Sequence, residues 1–338
     1  MAARRRVTLS DVAADAGVSR ATASLVLRGE GRVAAGTRER VLRSMQRLGY
    51  VYHRGAASLR LDRSGAVGLL VTDVSHPFFG EMAIGFEEVL ELSGVVTLLG
   101  NTFDSERRQH KLVRSLNEFK IDGLVVVPAL GSGAQLLGQL QASGVSYLLA
   151  TRPLPGVGAP YIGPDDVEGG RIAARHLIDH GCGSLMYLGG VPEAVPHAER
   201  VAGYREAVAE AGAADLGVMA GPVDAAGGYA LGLGLLKRRS VLPEGVICHS
   251  DSVALGLYRA LRDHAPGQVD QVRVVGFDGS ADAAFWEPPL TSVSADPRRL
   301  GARAAELLLE LVGGVPPGSV VRVRPELAVG RSCGCGPS

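Results

Sequence analysis

The sequence predicts an all-α helix-turn-helix domain at the N-terminus, followed by an α/β core of two doubly wound parallel-sheet lobes. Three observations carry this. Thr8 to Leu27 repeats apolar residues at helical spacing around a single glycine. From Ala66 onward, short apolar runs alternate with amphipathic stretches about a dozen times. Charge also divides between the two parts: through Arg63 thirteen arginines and no lysine stand against five acids, a net +8. The whole chain balances 35 bases against 35 acids, so residues 64–338 carry −8. Such an asymmetry points to nucleic acid as the partner of the basic segment.

In the first segment Leu9, Val12, Ala13 and Ala16 follow the i, i+3, i+4, i+7 pattern of a helix. Thr8 with Asp11 three residues on has the form of a capping box, and Gly17 supplies a left-handed stop. Ser19 can cap a second helix whose Ala23, Val26 and Leu27 face back onto the first. The turn through Gly17 and Val18 makes a helix-turn-helix and offers Arg20, Ala21, Thr22 and Leu25 to the major groove or its walls. Thr37 to Leu48 reads as a third helix, with Val41, Leu42, Met45 and Leu48 closing a three-helix core and Arg38, Arg40, Arg43 and Arg47 on its other faces. Ala34-Ala35 leaves that helix without a capping side chain. Tyr52 to Leu61 is too short and too rich in Gly and Arg to hold a helix alone in water.

The core begins with A-V-G-L-L-V-T at Ala66, a continuous apolar run suited to a strand buried on both faces. Helices are expected over Phe78–Ser93, Ser105–Phe119 and Leu136–Ser143, with V-V-T-L-L-G, D-G-L-V-V-V-P and V-S-Y-L-L-A as strands. A second set begins near Ile162, with helices at Gly169–His180, Ala198–Ala211, 225–238 and Ser252–His264. Its strands are S-L-M-Y-L-G, V-I-C-H-S and V-R-V-V-G-F-D; Arg299–Leu311 is a late helix and V-V-R-V-R-P a last strand. This alternation implies right-handed crossovers, and so many elements exceed one sheet. Ligands of open sheets bind beyond the carboxyl ends of the strands. Those ends are Thr72-Asp73 with Ser75 to Phe79, Asn101-Thr102, Thr151-Arg152, Gly189-Gly190, Ser250-Asp251 and Phe277-Asp278. Polar groups with a few aromatics suit a small hydroxylated or charged ligand. The same residues have local uses: Asp73 or Asp251 could cap the following helix, Arg200 could pair with a surface acid, and Phe79 could be ordinary core.

Other chemistries find little support. No apolar segment follows Arg4, Arg5 and Arg6 as in a secretory signal, and no run of eighteen apolar residues suggests a membrane span; cytoplasm is the expected compartment. There is no phosphate-binding G-x-x-x-x-G-K-[ST], only three lysines (Lys111, Lys120 and Lys237), and no G-x-S-x-G elbow. Neither catalysis nor a cofactor is expected. His176 and His180 stand i, i+4 on one helix and two such ligands could meet zinc, but no third ligand accompanies them, so an exposed face is expected. Cys333 and Cys335 form a C-x-C without a second pair, expected to lie in a mobile tail with incidental thiols.

The segment D-V-A-A-D-A-G-V-S-R-A-T-A-S-L-V-L, followed by E-R-V-L-R-S-M-Q-R-L-G-Y, resembles the LacI/GalR family of bacterial transcription regulators, and the resemblance runs through nearly the whole chain. It implies a helix-turn-helix domain over 1–51, a hinge helix over 52–63 and a periplasmic-binding-protein-like core over 64–332, with 333–338 as a tail. The chain would cross between lobes near 162, 293 and 321, giving lobe 1 about 64–161 and 294–321, and lobe 2 about 162–293 and 322–332. The implied partner is a pseudo-palindromic double-stranded DNA operator, bound by a homodimer. Its contacts would come from Thr8, Ser19, Arg20, Ala21, Thr22, Ser24, Leu25 and Arg28, with Leu59 levered into the minor groove. Leu25 stands where many family members place an arginine. S-H-P-F-F matches the family's N-P-F-F loop and puts Asp73, His76 and Phe79 at an effector; R-V-A-G-Y and G-F-D add Arg200 and Asp278. Thr151 replaces an Asp, Ser250-Asp251 replaces Asn-Asp, and Gly279 replaces a second Asp, so a sugar would lose fixed acceptors at each change. A regulator with a non-sugar effector or none, and a solute-binding protein, are the alternatives. The end G-C-G-P-S carries no leucine heptad, which favours a dimer over a coiled-coil tetramer.

Overall fold

A computed structural model describes residues 7–28, 31–50, 63–154, 156, 158–238, 241–316 and 320–336. It divides into two compact units, 1–64 and 65–338. The first contains α1 (Leu9–Ala16), α2 (Arg20–Arg28) and α3 (Ala35–Leu48). The capping box forms: Thr8 Oγ1 accepts from the Asp11 N–H at 3.3 Å while Asp11 accepts from the Thr8 N–H at 2.8 Å. Gly17 ends α1 at φ +65°. The Ser19 hydroxyl accepts from the Thr22 N–H at 3.1 Å and opens α2. No side chain caps α3 at Ala34. Val12, Ala13, Ala16, Ala23, Val26 and Val41 form the core, with Met45 and Leu48 at its edge.

Leu42 departs from expectation, being 50% exposed, while Ser44 is buried. The inward stripe of α3 is Val41, Ser44, Met45 and Leu48, the i, i+3, i+4, i+7 set. Ser44 can sit inside because its hydroxyl donates to the Val12 carbonyl at 3.2 Å and to the Asp15 carboxylate. Arg47 also bonds Asp15, and with Ser44 it lowers that carboxyl below its usual range.

The second unit contains twelve strands among the described residues: β1 (Ala66–Val71), β2 (Val96–Asn101), β3 (Gly123–Val126), β4 (Ser146–Ala150), β5 (Tyr161–Pro164), β6 (Ser184–Leu188), β7 (Ala214–Met219), β8 (Gly245–Cys248), β9 (Arg273–Phe277), β10 (Thr291–Ser294), β11 (Val321–Val323) and β12 (Glu326–Ala328). Between them lie α4 (Pro77–Leu92), α5 (Glu106–Glu118), α6 (Ala134–Ser143), α7 (Asp166–Asp179), α8 (Val195–Ala211), α9 (Ala225–Arg238), α10 (Asp251–His264) and α11 (Pro297–Val312). The first sheet runs β2-β1-β3-β4-β5-β11, all parallel; the second runs β7-β6-β8-β9-β10-β12, with only β12 antiparallel. Both reverse direction of winding at the same place, beside β1 and beside β6. Phe86 and Leu90 of α4 and Leu300 and Leu308 of α11 cover one face of the first sheet; Val113 of α5 and Leu136 of α6 cover the other. In the second sheet α7 and α8 cover one face, through Leu177 and Tyr204, and α9 and α10 the other, through Leu235 and Leu257.

Three differences from the sequence reading concern the second sheet and the C-terminus. β5 belongs to the first sheet, so the first passage between lobes follows Pro164 instead of opening a new set near Ile162. The passages after β10 and β11 are equally short. β7, β10 and β12 had no clear signature: β7 is an edge strand broken by Gly217 at φ +95°, and the other two span four and three residues. The C-terminal segment is not a loose tail. Ser332 Oγ donates to the Val274 carbonyl at 2.6 Å, the Val274 N–H returns to the Ser332 carbonyl at 2.8 Å, and Cys333 is fully buried.

Helices α7 and α8 touch backbone to backbone. A Cβ at Gly170 would lie 2.0 Å from the Arg200 carbonyl oxygen, and one at Gly203 would lie 1.8 Å from that of Val167. Gly203→Ala is therefore expected to force the helices apart and to destabilise the core by about 1–3 kcal/mol, read as a lowered Tm. Gly138→Ala, in open space on α6, is the control and should be neutral or stabilising by about 0.5–1 kcal/mol. Equal melting of both variants would remove the close-packing explanation.

Candidate functional sites

On the first unit, the N-terminal turn of α2 presents Ser19, Arg20 and Ala21 to solvent, with Thr22, Ser24 and Leu25 half-buried behind them. The Ser19 and Thr22 hydroxyls bond each other at 2.9 Å, so both are oriented by the cap. Leu25 leans over Gly31, where an added Cβ would lie 3.5 Å from a Leu25 methyl. Thr8 is exposed at the start of α1. Among the described residues Arg20 makes no ion pair, whereas Arg43 and Arg47 are engaged with Glu39 and Asp15. The surface thus combines a free guanidinium, hydroxyls and a helix N-terminus, groups that bond base edges and phosphates. The Arg28 side chain, the N-terminal arginines, Tyr52 to Leu61 and with them Leu59 lie outside the described residues.

In the second unit, the carboxyl ends of both sheets enclose a cavity of about 330 Å³. Seven of the eight residues expected to touch an effector line it: Asp73, His76, Phe79, Thr151, Arg200, Ser250 and Asp278. Arg200 organises the polar side. Its Nε donates to Asp166 Oδ1 at 2.7 Å, its Nη1 to the His249 carbonyl at 2.7 Å, and its guanidinium lies 4.3 Å from the Phe277 ring centre. Burial opposes its charge, but the Asp166 carboxylate more than compensates and raises the guanidinium above its usual value. From the first lobe, His76 Nε2 approaches Asp278 Oδ2 at 3.8 Å and its ring meets Phe79 edge-on. Arg152 Nη1 donates to Asp104 Oδ1 at 2.6 Å, closing the rim. Ser250 caps α10 through Val253 N–H and donates to the Val223 carbonyl.

Among the described residues, three buried atoms of cavity-lining residues have no hydrogen-bond partner: His76 Nδ1, Asp166 Oδ2 and Asp278 Oδ2. Native structures rarely leave such atoms unused. Burial keeps His76 below the usual histidine range and His249 well below it, so both are neutral near pH 7. Burial likewise pushes Asp278 up to about 7, and burial with the Asp278 charge does the same to Asp251. Backbone strain collects here too. Among the described residues six non-glycine positions have positive φ, and four of them line the cavity: Phe103, Asp104, Thr151 and Asp278. Each such position costs of order 1–3 kcal/mol.

Asp251 does not line the cavity. It is buried beneath the floor, accepting from Ser292 Oγ at 2.6 Å and the Ser280 N–H at 2.7 Å, so it braces the loop that carries Asp278. Sequence reasoning missed Phe103, Asp104, Asp166, Asp224 and His249. Phe103 and Asp104 stand just beyond Asn101-Thr102, and His249 directly precedes Ser250, so strand ends read a residue or two further would have found them. Asp166 lies just beyond β5, a four-residue strand that the sequence reading does not identify.

A family model described as bacterial regulatory proteins, lacI family, matches residues 8–52, and one described as a periplasmic binding protein-like domain matches residues 174–333. The chain is similar to the HTH-type transcriptional regulator MalR of Streptomyces coelicolor, at 33% identity covering 97% of each protein. It is also similar to the maltose regulon regulatory protein MalI of Escherichia coli, at 30% identity over 92% of this chain and 94% of MalI. It shares the fold of the lac repressor dimer bound to operator and the anti-inducer ONPF, with a TM-score of 0.86 at 24% identity over 97% and 99% of the two chains. The transcriptional regulator CelR in complex with cellobiose superposes with a TM-score of 0.70 at 31% identity, over 97% of this chain and all of that one. No helix among the described residues is long and apolar enough to cross a membrane. The chain belongs to the lacI family of bacterial regulatory proteins.

Proposed function

We propose that this chain is a homodimeric, cytoplasmic repressor, without enzymatic activity, that reads a pseudo-palindromic operator and responds to a small molecule bound between its lobes. The observation that carries the effector reading is the cavity itself, where a buried cation, three buried polar atoms without hydrogen bonds and the Phe79 ring converge. That combination fits a sugar or related hydroxylated metabolite: hydroxyls supply donors and acceptors for Asp278, Asp166 and Arg200, and an apolar ring face packs on Phe79. CelR, solved as a complex with cellobiose, is a relative with such a ligand. Binding would favour one lobe closure and thereby alter the dimer that presents two recognition helices to successive major grooves.

The test is selection of genomic DNA by the purified protein at stated salt, since affinity for DNA falls steeply with salt. An enriched inverted repeat with a central pyrimidine–purine step is expected. Arg20→Ala should cost about 1–3 kcal/mol at one base position and relax its preference, and Leu59→Ala should weaken operator binding far more than nonspecific binding. Equal losses on both kinds of DNA for Leu59→Ala would sink the minor-groove role. Absence of any enriched repeat would remove the operator reading.

The buried carboxyls give a pH dependence. Asp278 is raised to about 7 by burial, against roughly 3.9 in an unfolded chain. The folded state therefore binds more protons, and the stability this contributes is present below about 4 and lost as pH rises through 7. Asp278→Asn removes the effect. The Tm of the variant relative to the parent should climb between about pH 4 and pH 8; a constant difference across that window would refute the assignment.

A further inference from the structure

The C-terminal C-x-C and the i, i+4 histidines, separate in sequence, meet on the second lobe. His176 and His180 close the last turn of α7, their ring centres 4.3 Å apart. The C-terminal segment, pinned to β9 by Ser332, brings Cys335 Sγ to 3.0 Å from His180 Nε2 and 3.8 Å from His176 Nε2. The three ligand atoms lie within 4.8 Å of one another, and Cys333 Sγ stands 3.1 Å from Cys335 Sγ. A tetrahedral zinc with Zn–S and Zn–N bonds of about 2.3 and 2.0 Å requires ligand-to-ligand separations of about 3.3–3.8 Å. The observed set needs only small side-chain rotations to meet them.

Two further details fit. His180 Nδ1 lies 2.8 Å from the His176 carbonyl. The carbonyl can only accept, so Nδ1 carries the proton and Nε2 keeps its lone pair toward Cys335, the outer-shell arrangement of metal-binding histidines. Gly334 takes φ +87°, and a Cβ there would lie 2.7 Å from Arg273 Nε. Only glycine allows the chain to turn between the two cysteines this close to the sheet. Cys335 is half-exposed, so an ion has a way in.

We propose that His176, His180 and Cys335 bind one zinc-like divalent transition ion, its fourth position taken by solvent, that clamps the C-terminal segment to the end of α7. Cys335 binds as thiolate and its proton leaves to solvent. Imidazole and thiolate together select zinc or its cobalt surrogate over calcium or magnesium.

The experiment uses the full chain, purified with reductant and stripped by chelator, titrated with Co(II) and then with Zn(II). Expected are one equivalent of cobalt per chain, thiolate-to-cobalt charge-transfer absorption, the visible bands of a tetrahedral site, and their loss on adding zinc. Cys335→Ser should abolish the charge-transfer band and His180→Asn the tight stoichiometric binding, with far-UV circular dichroism unchanged. Zinc should raise the Tm of the parent and of Cys248→Ala but not of Cys335→Ser. If Cys335→Ser does not fold, His180→Asn decides. No charge-transfer band in the parent, its survival in Cys335→Ser, or reduced protein that takes up no metal and oxidises to a Cys333–Cys335 disulfide would each overturn the proposal.

Discussion

The ion pair between Arg200 and Asp166 is the interaction on which the core's working geometry depends. Both groups are almost wholly withdrawn from water, with Asp166 at 2% exposure and Arg200 at 9%. Desolvating two charges can cost more than their attraction returns, while removing one partner typically costs about 3–5 kcal/mol because the other is left buried alone. Such a pair holds only if its distance is fixed from outside. The glycine contacts between α7 and α8 do that, bringing the two helix backbones close enough for the first turn of one to reach the second turn of the other. With Nε and Nη1 committed and one face over Phe277, the guanidinium has a single orientation. The cavity receives a cation whose desolvation was completed during folding, so a ligand does not bear that cost on binding.

The other charged groups are arranged around this one. The Asp278 charge at the cavity floor opposes ionisation of Asp251 buried beneath it, and Ser292 and the Ser280 N–H hold Asp251 in place. The left-handed backbone at Thr151 and Asp278, from opposite lobes, turns both residues at the strand ends where the cavity lies. Strain and buried charge therefore concentrate in one place, as expected where function opposes stability.

Most of the architecture was readable because it rests on periodicity. The helical stripe of α1, the glycine stop and the Ser19 cap are local, and each formed as the residues dictate. Alternating apolar runs likewise announced the interior strands, buried on both faces. What failed was non-local. Leu42 has the spacing of a core residue, yet Ser44 takes the inward place because it has two partners on α1, Val12 and Asp15. Asp251 looked like a ligand contact because it follows a strand, yet the loop after β9 folds over it. Edge strands β7 and β12 carry little hydrophobic signal because solvent meets one side of them. The C-x-C and the paired histidines were each unremarkable alone, since 155 residues separate His180 from Cys335.

The passages between lobes also bear on how the molecule is made. The first sheet is bounded by β11, and its α4 face is shared with α11, both drawn from residues 297–323. Emerging from a ribosome, residues 66–164 carry five of that sheet's six strands but leave the apolar face around Phe86 and Leu90 without its covering helix. The N-terminal three-helix unit has no such debt, since its core is contiguous. Synthesis of this chain therefore yields a finished basic domain early and an unfinished lobe for most of translation, one that completes only when nearly the whole polypeptide is available.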